Sequence, residues 1–456
     1  MSAFECFDQK KLAEWLRSAY AVLRRGAHSL AWVAMLFVSF TVPLAEAAIP
    51  TTERQALVDL YNATSGPSWT NNTLWLGEVG SECSWFGITC NDDASHVKAI
   101  RLVNNRLNGH LADISAFTSV ESITITYNPQ LGGTLPDLSA LGSIKQLFLG
   151  ANGFIGSIPD LSALTSVEWI VLSGNSLTGN FPDLSALTSL DRFEAQLNYI
   201  SGPVPTVAQL PSSLKFLYLA GNRLTGGPGG LDDPEYDYST LPQLIDYDLS
   251  TNWIEGSLPP GAYLKHMRYF SAAGNYFTGS IPDPFAGNET VWYDVALNQL
   301  DGVIPEFGNK YPNLLLFNAS HNELTGRIPS LADLLELQFL ALGHNRLTGS
   351  LPDHSNNRKL ETLWLESNQL TGSLPSFADL TSLYYLQLGG NQFSGDPPDI
   401  PDSLIGFGTS YTSICPNNLN HVPNPRWDAA TGVSPWYARC VESDFIFRDG
   451  FEMEVN

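Results

Sequence analysis

Apolar residues recur along most of this chain in one spacing, clearest in Leu337-x-x-Leu340-x-Leu342-x-x-Asn345-x-Leu347-Thr348-Gly349-x-Leu351-Pro352. The first half alternates apolar and variable positions, the period of a strand with one buried face. The chain must then turn away and leave backbone groups inside the coil. Asparagine suits that bend because its amide both donates and accepts, so stacked copies can serve neighbouring turns. Glycine supplies the backbone freedom of a second bend, and proline fixes φ where the chain runs extended across the outer face. The asparagine marks thirteen copies, at Asn105, Asn128, Asn152, Asn175, Asn198, Asn222, Asn252, Asn275, Asn298, Asn322, Asn345, Asn368 and Asn391. Eleven of the twelve intervals are 23 or 24 residues, and the exception, Asn222 to Asn252, is 30. Self-similarity at that period predicts a solenoid in which each unit buries its apolar face against its neighbours.

The pattern resembles the leucine-rich repeat. The segments Phe277-Thr278-Gly279-Ser280-Ile281-Pro282, Leu324-Thr325-Gly326-Arg327-Ile328-Pro329 and Leu370-Thr371-Gly372-Ser373-Leu374-Pro375 are similar to the subfamily typical of plant receptor ectodomains. The resemblance implies an α/β solenoid, a right-handed superhelix with a parallel β-sheet on its concave side, about thirteen repeats over residues 95–413 and disulfide-capped ends. Residues 48–94 are the expected N-terminal cap, with a capping box at Thr52-Glu53-Arg54-Gln55 and Ala56, Leu57, Leu60 and Tyr61 at helical spacing. Cys83-Ser84-Trp85-Phe86-Gly87-Ile88-Thr89-Cys90 is similar to the cap of that family, which implies a Cys83–Cys90 disulfide. Cys415 and Cys440, close together within a C-terminal cap and tail (414–456), are expected to form the other.

The fifth cysteine, Cys6, falls in residues 1–47. There Arg17, Arg24 and Arg25 precede an apolar run from Leu30 to Leu44 and a small-x-small Ala45-Glu46-Ala47, the order of a secretory leader. Fifteen residues interrupted by Pro43 fall short of the ~20 that a spanning helix needs, and an uncleaved anchor is the alternative. A secreted chain with four cysteines suits an oxidising compartment, and no later segment could span a bilayer. The last residues, Phe445 to Glu452, resemble a short tail of some bacterial exported proteins. A bacterial origin would leave the sequons at Asn62, Asn71, Asn288 and Asn318 bare; in a eukaryotic secretory path they could be glycosylated.

The net charge is −23; the leader has five basic and four acidic residues, so the remainder is −24. Such a surface disfavours nucleic acid and anionic lipid. Part of the acidity is written into the repeat as Asp137, Asp160, Asp183, Asp283 and Asp353 after proline, where a solvated outer face accounts for it.

Counting the first leucine as position 1, positions 3, 5 and 7 project from the concave sheet. Position 3 supplies Trp169, Phe216, Asp246, Tyr269, Trp292, Phe339 and Tyr385, and position 5 supplies Phe148, Tyr218, Asp248, Asp294 and Trp364, with Glu194. Aromatic rings bring large contact area at low entropic cost and dominate interface hot spots, so this stripe is the candidate ligand surface. Stacking along the ladder to shield the strands is the structural alternative.

The 30-residue interval holds an insertion within Gly227 to Tyr238. Asp233, Glu235 and Asp237 share the alternate spacing of a calcium loop, but the loop's glycine and distal glutamate are missing, so a solvated loop is expected. His321 and His344 occupy one position in consecutive repeats and should stack, without an identifiable third metal ligand. No cofactor or metal is expected. Nucleophile, metalloprotease, P-loop and dinucleotide motifs are absent from the sequence, and an open sheet gives a carboxylate pair no reason to act as a glycosidase. The expectation is a non-enzymatic recognition module for a protein or peptide, with a neutral glycan or an adhesive role as alternatives. Size and architecture are similar to the polygalacturonase-inhibiting proteins, which implies inhibition of a polysaccharide-degrading enzyme. Oligomeric state and ligand identity stay open.

Overall fold

A computed structural model describes residues 49–440 except 228, 284–286 and 407–410. The proposed leader (1–47) and the tail beyond Cys440 lie outside the described residues.

One sheet of 15 strands runs the length of the described chain. Its first strand, Ile88–Cys90, is antiparallel to the second, Val97–Arg101, and the 14 strands from Val97–Arg101 to Thr412–Ser413 are parallel to one another, one per turn. Parallel neighbours stay in strict register; Arg192, Phe193 and Glu194, for example, face Trp169, Ile170 and Val171 on one side and Phe216, Leu217 and Tyr218 on the other. Register cannot slip because position 4 is buried in every turn, and a one-residue shift would turn the core leucines outward. Short strands such as Gln369–Ser373 and Gln392–Gly395 build smaller parallel sheets beyond the asparagine bend. Short 3-10 turns, rather than α-helices, complete the coils between the ends. The sheet forms the concave side of a leucine-rich-repeat superhelix, and among the described residues its α-helices lie near the two ends.

The asparagines act as expected, and the geometry shows how each serves two turns. Asn345 Nδ2 donates to Leu342 O in its own turn (3.1 Å) and to Ala319 O in the preceding one (2.9 Å), while its Oδ1 accepts from Leu324 N (3.0 Å). Asn417 makes the same three contacts, with Leu388 O, Ile414 O and Phe393 N, and so adds a rung beyond Asn391. Its 26-residue interval hid it from the period. The residue before each of the thirteen periodic asparagines is left-handed whatever its type, including Leu197 (φ 57°), Leu297 (φ 54°), His321 (φ 52°) and His344 (φ 55°). Such φ values disfavour a leucine, so the bonded asparagine beside it must hold the bend.

Helix α1, Thr51–Ala63, buries Ala56, Leu57, Leu60 and Tyr61 against the first turns, as their spacing predicts. The capping box does not form: the N-cap is Pro50, two residues before Thr52, and there is no side-chain cap. Glu53 is instead drawn into the core, where its carboxylate accepts from Val97 N (2.7 Å) and meets His96 Nδ1 (2.7 Å). A buried carboxylate needs such strong partners. Cys83–Cys90 closes this cap, and Cys415–Cys440 joins the last turn to the segment after helix α2, Pro425–Thr431.

The insertion departs from the expected solvated loop. Tyr236 and Tyr238 are each only 1% exposed. Tyr238 OH donates to Pro205 O (3.0 Å) and lies 3.3 Å from Tyr247 OH, and the Tyr238 and Tyr247 rings meet edge to face at 5.1 Å. Asp233 and Asp237 cap short turns, accepting from Glu235 N and Ser239 N at 3.1 Å each. The extra residues therefore widen the core of this turn with two tyrosines. The outer-face aspartates work similarly: Asp137, Asp160, Asp183 and Asp353 each accept the backbone N–H two residues on, at 2.8–3.0 Å.

Candidate binding face

All twelve stripe residues lie on the long sheet, but they form three environments rather than one continuous row. The first is a closed stack. Phe148 meets Trp169 edge to face at 4.9 Å. Arg192, absent from the aromatic and acidic stripe read from the sequence, places its guanidinium carbon 5.0 Å from the Trp169 ring, 4.3 Å from Phe216 and 5.2 Å from Tyr218. Its Nη1 also pairs with Glu194 Oε1 at 3.0 Å. Position 3 of that repeat is the only cation in the aromatic column, a signal the register alone would have supplied. These four rings are half-buried by one another and by Arg192, so they are partly committed to the fold.

The second environment is open and acidic. Tyr269 and Trp292, direct neighbours across adjacent strands, are 37% and 39% exposed. Asp246 flanks Tyr269 in register, and Asp248, Ser271 and Asp294 form the parallel column at position 5. Tyr218 OH donates to Asp246 Oδ2 at 2.7 Å, and burial pushes the Asp246 carboxyl up from its ordinary range, with Asp248 adding repulsion. Asp248 accepts from Ser250 N (2.9 Å). Asp294 accepts from Ala296 N (3.0 Å) and Asn318 Nδ2 (3.3 Å), yet burial outweighs both bonds and pushes it up to about 6.

The third environment is C-terminal. Phe339, Trp364 and Tyr385 are half-buried. His321 and His344 stack at 4.1 Å as the register implies, with the Trp364 ring edge-on at 5.5 and 5.9 Å. His344 Nε2 meets Glu366 Oε1 at 3.1 Å. Tyr385 contacts Tyr411 edge to face, and burial pushes its hydroxyl up to about 12. Among the described residues, no three metal-binding side chains are grouped so as to hold an ion.

Beside these groups, the sheet edge carries an alternating charge column whose members pair with each other: Lys145 with Glu121 (2.9 Å) and Lys215 with Asp191 (2.6 Å). Beyond the asparagine bend, a separate exposed stack was also missed. Arg223 sits 4.5 Å from the Tyr199 ring and 5.6 Å from Trp253, with Tyr276 exposed on the following rung.

The fold, the asparagine ladder and this outward-facing sheet define a leucine-rich-repeat solenoid. Comparison with known proteins agrees: the Leucine Rich Repeat family model matches residues 359–380. The chain carries leucine-rich repeats and resembles plant receptor ectodomains. Over 133 residues it is 32% identical to Receptor-like protein 18 of Arabidopsis thaliana, a match covering 28% of this chain and 15% of that protein. The structure of PEPR1-AtPEP1 superimposes with a TM-score of 0.65 and 26% identity, covering 82% of this chain and 53% of that one. A TDR receptor superimposes at 0.56 with 26% identity, over 67% of this chain and 58% of the other. The chain thus spans only part of the relatives it matches. No described helix is long and apolar enough to cross a membrane.

Proposed function

We propose that this chain is an exported recognition module that binds a protein or peptide segment along its concave sheet. The exposed pair Tyr269 and Trp292 carries the proposal, because rings of this size facing water on a sheet lose contact area that a partner would restore. The open acidic environment, rather than the closed stack around Arg192, is the centre of that surface. The likeness to Receptor-like protein 18 and to PEPR1-AtPEP1 supports a receptor-type role. Two disulfides near the ends support an oxidising, extracellular setting.

The test is partner capture with wild type and with Tyr269→Ala/Trp292→Ala, after matching their melting temperatures. Loss of a captured partner from the variant is expected; undiminished binding would refute the concave-face assignment. A neutral glycan is the second reading, favoured by the exposed Tyr199–Arg223–Trp253 stack outside the concave face. It predicts glycan-array signals that vanish in Trp253→Ala and persist in the concave variant.

A further inference from the structure

The concave sheet shows how it holds a guanidinium. Arg192 is surrounded by the rings of Trp169, Phe216 and Tyr218 and is paired with Glu194, all from adjacent strands. Rings supply the face of a cation–π contact, and the carboxylate supplies charge-assisted hydrogen bonds.

Immediately along the sheet, the same ingredients recur without the cation. Tyr269 and Trp292 present exposed rings in adjacent strands. Asp248 and Asp294 stand at equivalent positions on either side of Ser271. Two rungs separate those carboxylates by ~9.6 Å, and the short serine between them leaves space above the sheet. Elsewhere on this face, four carboxylates have basic partners within the chain: Glu121, Asp191, Glu194 and Glu366. Among the described residues, no Lys, Arg or His lies within ion-pair distance of Asp246, Asp248 or Asp294. With a chain charge of −23, the local deficit is not made up from afar. Leaving carboxylates half-buried and uncompensated is unfavourable, and a partner that brings the missing charge relieves it.

We infer that the Tyr269–Trp292 face takes an arginine side chain of the bound protein or peptide, seated over Ser271 between Asp248 and Asp294 and against the two rings. The occupant is thus a cationic segment, and arginine suits it better than lysine because its planar fork can both stack and bridge two carboxylates. This inference rests on the concave-face reading and adds to it the chemistry of the ligand.

The probe is a capped peptide of alternating glycine and arginine, compared with the same peptide carrying citrulline, which keeps the shape and loses the charge. Binding to the full exported chain is followed by calorimetry in low and physiological salt. The arginine peptide should bind about tenfold more tightly than the citrulline peptide, and Asp248→Asn/Asp294→Asn should abolish that difference. Asp160→Asn/Asp353→Asn removes the same charge from the outer turns and should leave the preference intact. No preference for arginine, or equal loss in both double variants, overturns the inference. Asparagine preserves the shape at both sites, and Tyr269→Leu/Trp292→Leu gives an independent reduction if the carboxylate variant melts early. A captured partner that needs Trp292 but ignores Asp248→Asn/Asp294→Asn overturns the arginine assignment and leaves the concave-face reading standing. A partner indifferent to both variants overturns that reading itself.

Discussion

The asparagine ladder makes a quantitative prediction about coupling between turns. Asn275 Nδ2 donates to Leu249 O (3.0 Å) and Ala272 O (3.1 Å), and its Oδ1 accepts from Ile254 N (3.1 Å). Each of those carbonyls has a second donor: Asn252 serves Leu249 O, and Asn298 serves Ala272 O, both at 3.0 Å. Asn275→Ala therefore orphans only the Ile254 N–H, at about 1–3 kcal/mol, and weakens two carbonyls that keep a partner, at about 0.5–1.5 kcal/mol each. The expected cost is about 3 kcal/mol. Asn298→Ala should cost a similar amount, since it orphans Phe277 N. Together they strip Ala272 O of both side-chain donors, so the double variant should lose about 1–2 kcal/mol more than the sum of the singles. Asn275→Ala with Asn368→Ala shares no acceptor and should be additive within about 0.5 kcal/mol. Urea unfolding followed by tryptophan fluorescence gives the cycle, and hydrogen exchange at Ile254 and Phe277 locates the opening, which matters because a solenoid can unfold in parts. Additivity of the neighbouring pair within about 0.5 kcal/mol would refute the shared-acceptor account.

The insertion should prove structural: Tyr238→Ala should cost about 3–5 kcal/mol in urea unfolding, and Tyr238→Phe about 1 kcal/mol, from loss of the bond to Pro205 O. A solvated loop would show neither. The Asp294 carboxyl is raised to about 6 by burial, so its contribution to stability is fully present below about pH 4 and is lost as pH rises through 6. Wild type should therefore lose stability relative to Asp294→Asn between pH 4 and 7, by about 1–3 kcal/mol, measured as the shift in urea midpoint. Arg192→Met keeps much of the stem packing but removes the cation and its pair with Glu194, and should lower stability by about 1–2 kcal/mol in the same assay.

Local pattern determined most of the architecture. The L-x-x-L-x-L spacing sets which side chains are buried, the bonded asparagine closes the bend, and repetition at 23 or 24 residues lets each turn complete its neighbour. Strand register followed because a period of two admits one pairing that keeps leucines inside. For the same reason the twelve concave residues could be placed on one sheet from their positions alone.

Tertiary structure decided how those outward residues are spent. Whether Trp169 is free depends on Arg192 reaching it from the next strand, and whether Asp294 is compensated depends on which groups stand on both neighbouring strands. Glu53 is held by a backbone N–H 44 residues away, and Tyr236 and Tyr238, in what reads as a polar insertion, are buried in the core. Asn417 joined the ladder despite its irregular interval, because its bonds answer to the turn before it rather than to a count of residues. Periodicity reports which face a residue is on; the neighbours across that face, contributed by other turns, determine its partners and its charge.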